Sequence, residues 1–255
     1  MAKASGAAKL GVNKWEEELA QLASAEASNE TVSSSMLSVR SGRLTFRGNE
    51  VPGNKLNVVI VASMHENLFY ADRYDADNPA PPACYAFGET DKTLAPHEEA
   101  SERQADSCAV CPHNVFGSAD QGKGKACKNT RRLIMMTEDD LEDVAAAELA
   151  QLKISVTSVK NWSNYVNTLA GTMKRPPFAV VTEISVVPDS KTQFKILFKA
   201  VGQITDSDVL QAIVDRRPAA LDTMMQPYPP PAPKPEAPAK GSRGTQGGTS
   251  RRGKY

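Results

Sequence analysis

The chain has 255 residues, enough for one large domain or two small ones with tails, and its 40% hydrophobic and 6% aromatic content predicts a moderate, mostly aliphatic core. Lys+Arg and Asp+Glu both count 30, so net charge by itself names no partner. No segment approaches the roughly 20 apolar residues of a membrane span, and the opening residues hold no apolar run of signal-peptide length; no membrane partner and a reducing cytoplasm are expected, where clustered cysteines serve metals more often than disulfides.

Residues 14–27 read as a short helix with Trp15, Leu19 and Leu22 on one face, broken by the Ser/Asn/Thr-rich stretch 28–35. Two strands are predicted next, over about 37–47 and over 56–62, separated by a Pro52-Gly53 turn. Residues 66–87 mix aromatics with polar turns, and the cysteine region runs on to 128. A strand is expected over 131–136, then a helix over about 138–149 opened by Thr137 with Asp140. Leu152, Ile154 and Val156 alternate as a strand, and 158–170 reads as a helix stopped by Gly171. A hairpin over 178–187 and 193–202 follows, then a helix from a Thr205/Asp208 cap to about Arg217. From 226 onward Pro, Ala, Lys, Gly, Ser and Arg dominate, a composition expected to stay disordered because it cannot bury enough apolar surface to offset its ordering entropy.

All four cysteines are central: Cys84, Cys108, Cys111 and Cys127. Cys108 and Cys111 form a C-x2-C knuckle, whose thiolates reach one ion from a single turn; 15 residues separate it from Cys127 and 23 from Cys84. This spacing suits a structural Zn2+ with four thiolate ligands. A competing set replaces Cys84 by His113. Around the cysteines, residues 121–132 carry Lys123, Lys125, Lys128, Arg131 and Arg132 with no acid, while 137–143 is strongly acidic. Tyr70, Tyr74, Tyr85, Phe87 and Phe116 lie within 50 residues, with Arg73 among them. Cations that track phosphates and rings that stack on bases are what sequence-independent binding of a single strand requires. Taken singly, each ring also reads as core and each lysine as a solvated face.

Catalytic signatures are lacking. Gly122-x-Gly124-x-x-Cys127 is not a P-loop, no Gly-x-Ser-x-Gly or His-Glu-x-x-His occurs, and the His-x-Glu and Pro-Cys-x-x-Cys pattern of zinc deaminases is not met. No enzyme is expected.

Cys84-Tyr85-Ala86-Phe87-Gly88, Cys108-Ala109-Val110-Cys111-Pro112-His113-Asn114, Phe116-Gly117-Ser118 and Gly122-Lys123-Gly124-Lys125-Ala126-Cys127, followed by the 165–169 and 180–184 segments, resemble zinc-containing single-stranded DNA-binding proteins of tailed bacteriophages, over roughly 40–205. The resemblance implies an OB-like β-barrel with appended helices, mainly β (α+β), and a role in DNA replication, recombination and repair in an infected bacterial cell. It implies single-stranded DNA as partner, with phage replication or recombination enzymes as further ones. Many such proteins end in an acidic tail, whereas this tail carries six basic residues and one acid from Tyr228. The expected organisation is an N-terminal helix and linker (1–35), a binding domain (36–225) with the zinc insertion at 84–128, and a tail (226–255). A zinc-ribbon adaptor that recruits a polymerase or recombinase is the alternative.

Overall fold

Residues 56–62 prove to be part of a much longer strand that forms the spine of the protein. The computed structural model describes Trp15, Leu19 and residues 36–72, 80–120 and 122–228. In chain order the strands are β1 (Met36–Arg40), β2 (Arg43–Phe46), β3 (Asn49–Glu50), β4 (Lys55–Phe69), β5 (Cys84–Gly88), β6 (Lys128–Thr137), β7 (Ala150–Ile154), β8 (Val180–Asp189) and β9 (Gln193–Gln203); the helices are α1 (Val156–Thr168) and α2 (Ser207–Met224). They make one mixed sheet in the order β3-β2-β1-β7-β6-β4-β8-β9, with β5 added beside β4. The sheet is strongly curled into a half-barrel, so the protein is of mixed α+β, barrel-like class.

The 15 residues of β4 pair with β6 along most of their length, with β8 over Lys55–Val59 and with β5 over His65–Phe69. Strand residues alternate between faces. Val58 and Ile60 join the inner core with Leu37, Leu44, Leu133, Leu152, Ile184 and Ile196, and α1 covers them with Trp162 and Tyr165. Val59 and Val61 join the outer core, covered by Ile213, Ala220 and Met224 of α2. The register slips between Ile60 and Ala62, and the bulge sends both Val61 and Ala62 to the α2 side. The guanidinium of Arg217 donates to the bulged Val61 carbonyl at 2.6 Å. Around the inner core β2 meets β8, and Gly42 abuts Phe194, which brings the two ends of the sheet toward each other.

Several elements differ from expectation. The strand predicted over 37–47 is a hairpin: Ser41 and Gly42 both take positive φ (50° and 76°), the geometry of a type I′ turn, and fold β2 back on β1. Thr137 does donate to Asp140 Oδ2, from N and from Oγ1, each at 2.8 Å, but only a 3₁₀ turn over Asp139–Glu142 follows instead of a helix to 149. Arg216 takes the carbonyls of Val144 and Ala145 at 2.6 and 2.9 Å, and these are acceptors a helix would have used. Gly171 does not stop α1; a wider π-type turn over Leu169–Met173 continues to Lys174, which is left-handed (φ 53°). Asp206, not Thr205, caps α2, its carboxylate accepting from the N–H groups of Asp208 and Val209. The helix passes Pro218 and runs to Met224, where Ala220 and Met224 are fully buried.

Trp15 and Leu19 are helical, as expected, but exposed. The rest of the predicted 14–27 helix, and the tail from 229, lie outside the described residues. Tyr228, assigned to that tail, packs on Tyr85 and Phe87 with ring centroids 5.1 and 6.0 Å away.

Candidate metal centre and nucleic-acid interface

The face alternation of β4, β5 and β6 builds the cysteine site. Cys84 lies opposite Phe69 and Ala86 opposite Asn67, while Lys128 lies opposite Leu68. Cys84 and Cys127 therefore share the parity of Asn67 and Phe69, on the inner face. The loop with Cys108 and Cys111 folds over that face. The N–H of Cys108 donates to the Leu94 carbonyl at 2.9 Å, that of Cys127 to the His113 carbonyl at 2.8 Å, and the Asn114 amide to the Cys108 carbonyl at 2.8 Å.

All four thiols are free, buried and line one cavity of about 10 Å³, space for a single water- or ion-sized sphere, together with Asn67, Phe69 and Asn114. Burial raises the pKa of Cys84, Cys108 and Cys127, the last to about 12, and the neighbouring thiols raise each further. A hydrogen bond from the Gln104 backbone to Cys84, and one from the Asn67 side chain to Cys108, offset part of this. Among the described residues no three His, Cys, Asp or Glu side chains are drawn onto a common point as an ion would hold them. The donor set nonetheless suits a soft divalent cation, because four desolvated thiols in an apolar cavity give up their protons when a cation supplies the compensating charge. His113 is engaged elsewhere: its ring stacks on Phe69 with centroids 4.3 Å apart, bordering a separate surface groove with Tyr70 and Lys128.

The knuckle carries an aromatic at its surface. Phe116 is 82% exposed, and Lys125 Nζ stands 5.2 Å from its ring centroid while donating to Asn114 Oδ1 at 3.1 Å. Lys123 and Lys128 are exposed on the same segment, and Tyr70 is 43% exposed at the end of β4. Gly122 (φ 79°) provides the left-handed turn between the two arms of this loop. Arg131 lies half-buried on the inner face. Arg73 and Tyr74 lie outside the described residues.

Three residues read as strand contacts point the other way. Tyr85 and Phe87 alternate with Cys84 and Ala86, so the strand that sends Cys84 to the inner face sends these rings to the outer one. Tyr85 is 3% exposed and packs with Leu68, and Phe87 is half-buried beneath the Arg132 guanidinium, 4.0 Å from its centroid. Arg132 is 4% exposed; its Nε pairs with Glu66 Oε1 at 2.5 Å and its NH1 donates to the Met224 carbonyl at 2.6 Å. Tyr85 and Arg132 hold the fold together and offer no surface to a strand, while Phe87 keeps only part of its ring exposed.

Sequence reading missed this buried polar knot. Glu66 is fully buried and also accepts from Thr130 Oγ1 at 2.8 Å and Tyr228 OH at 2.7 Å. An acid at the same parity as Met64 and Leu68, which are apolar, was its available signal, since a buried carboxylate demands partners. An amide relay was missed as well: Asn129 donates to Asn67 Oδ1 at 2.6 Å and to Asn114 Oδ1 at 3.0 Å, tying the knuckle to β4 and β6.

No family model, curated protein or solved structure matches the chain.

Proposed function

We propose that the protein is a sequence-independent single-stranded DNA-binding protein whose cysteine knuckle, held by Zn2+ on Cys84, Cys108, Cys111 and Cys127, presents a stacking ring and cations to the strand. The observation that carries this reading is the pairing of the exposed Phe116 ring with Lys125 on a loop anchored by all four cysteines. A ring left 82% exposed has no role in packing, and a base stacked on it is worth about 1–3 kcal/mol whatever its identity. Lys123 and Lys128, exposed on the same segment, supply further cations for the phosphates. In such a role the protein coats transient single strands during phage replication, recombination and repair.

Fluorescence anisotropy with labelled single-stranded DNA, duplex DNA and RNA across a salt series tests the proposal. Support would be tight binding of single strands that tolerates base changes and weakens with salt by a log–log slope of about −0.7 per phosphate contact. Weak binding, or preference for duplex, would sink it. A zinc-ribbon adaptor is the second reading, favoured by the exposure of Val110 (75%) and of Val115 (53%), the latter next to Phe116 in the chain, apolar side chains suited to a protein partner. That reading predicts weak oligonucleotide binding and capture of a polymerase or recombinase.

A further inference from the structure

A second groove lies on the inner face of the half-barrel, where β4 and β6 run out beyond the cover of α1. His65 and Arg131 are direct cross-strand partners there. Trp162, Val166 and Asn167 of α1 form the facing wall and Glu89 the rim, enclosing about 380 Å³. That volume is at the small end of the range for ligand pockets. The Arg131 guanidinium spends one N–H on the Thr130 carbonyl at 2.8 Å and is in no ion pair among the described residues. Burial lowers the pKa of both His65 and Arg131, as expected of groups with restricted water; Asp91 is near enough to raise both without pairing with either.

We propose that this groove seats one nucleotide of the bound strand, its phosphate on Arg131 and His65 and its base against Val166 and Asn167, over the buried edge of Trp162. The inference rests on the single-strand reading and adds a second contact to it. The next cross-strand row on the same face is Asn67 and Asn129, and Asn129 bonds to Asn114, which receives Lys125 beside Phe116. The groove and the knuckle thus lie along one face, linked by amides that the cysteine loop covers. Half-buried arginine suits a phosphate better than a lysine would, because its planar fork is less strongly hydrated and can bond two oxygens at once. Asn167 and Glu89 offer a donor and acceptors for a base edge.

The chain has two tryptophans, so Trp15→Phe leaves Trp162 as sole reporter. Titrating that variant with a labelled 20-nucleotide single strand gives anisotropy and Trp162 emission in one experiment. The expected result is quenching of Trp162 at the midpoint of the anisotropy change. Arg131→Gln should weaken binding roughly tenfold and lower the salt slope by about 0.7. Asn167→Asp, on an exposed position that leaves the core untouched, should weaken it too. Strand binding with silent Trp162 emission and unchanged affinity in both variants would overturn the groove while leaving the single-strand reading standing. Thymidine monophosphate quenching Trp162 when the strand does not would also overturn it, assigning the groove to a free nucleotide. No anisotropy change at all would remove both readings together.

Discussion

The Tyr228 phenol donates to Glu66 Oε1 at 2.7 Å, joining residues 162 positions apart and closing a carboxylate that is otherwise held by Arg132 and Thr130. Glu66 sits in the middle of the sheet, so a residue at the very end of the described chain completes the coordination of its central charge. Burial and the Glu66 carboxylate push the Tyr228 pKa up, which keeps the phenol a donor at physiological pH.

Removing this bond should be measurable. Tyr228→Phe keeps the ring contacts and deletes a hydrogen bond to a charged group, so stability should fall by about 1.5–3 kcal/mol in urea unfolding. Arg132→Met strands the Glu66 carboxylate in the interior and should cost about 3–5 kcal/mol. If Tyr228→Phe unfolds like the parent, the C-terminal contact is not part of the fold in solution.

The cysteine centre makes a spectroscopic prediction. Cobalt(II) added to the reduced protein should bind at one equivalent and develop thiolate charge-transfer and tetrahedral d–d bands, and Cys108→Ser with Cys111→Ser should abolish both. The Cys127 thiol, raised to about 12 by burial and its three neighbours, keeps its proton near neutrality without an ion, so metal uptake should release protons and weaken as pH falls. Because the two main cores contain none of the four cysteines, chelation should expose 89–127 to protease while the sheet stays folded. Global unfolding on chelation would contradict this division.

Asp189 gives a pH signature at the tip of the β8–β9 hairpin. Hydrogen bonds from Lys195 foremost, then from the Thr192 hydroxyl, lower its pKa from the ordinary 3.8 to about 2. A carboxyl depressed in the folded state adds stability above its unfolded pKa and loses it as pH falls through the folded one, so its contribution should fade between about pH 4 and pH 2. Acid titration of unfolding should show a smaller loss over that window for Asp189→Asn than for the parent; equal losses would refute the assignment.

On the knuckle, Phe116→Ala should weaken single-strand binding by about 1–3 kcal/mol without changing thermal stability, since the ring is 82% exposed. Lys125→Ala should add a loss of salt dependence. Tyr85 serves as the contrast: being interior, Tyr85→Ala should lower the melting temperature. An effect of Phe116→Ala on melting with none on binding would reverse this assignment of roles.

Much of the framework is legible in local pattern. The 180–189 and 193–203 hairpin, the α1 helix and the strand over 131–136 follow from alternation and turn chemistry, and the knuckle spacing brings Cys108 and Cys111 to one turn. Less legible was the 138–149 segment, where a cap-like bond forms at Thr137 but Arg216, some 70 positions away in the chain, claims the carbonyls a helix would need.

By itself the sequence determined which residues alternate and which cysteines stand within reach of one another, because periodicity and spacing are properties of the local chain. Only the tertiary structure decided which parity faces which way. Both faces of this sheet are covered by helices, so apolar residues occur at both parities of β4 and the pattern gives no inside or outside. Tyr85 and Cys84, or Arg132 and Arg131, are neighbours of indistinguishable promise in sequence. The pairing of β4 with β5 and β6, together with the partners waiting for Glu66, sent Tyr85 and Arg132 into the interior and left Cys84 and Arg131 on the face where the candidate sites lie.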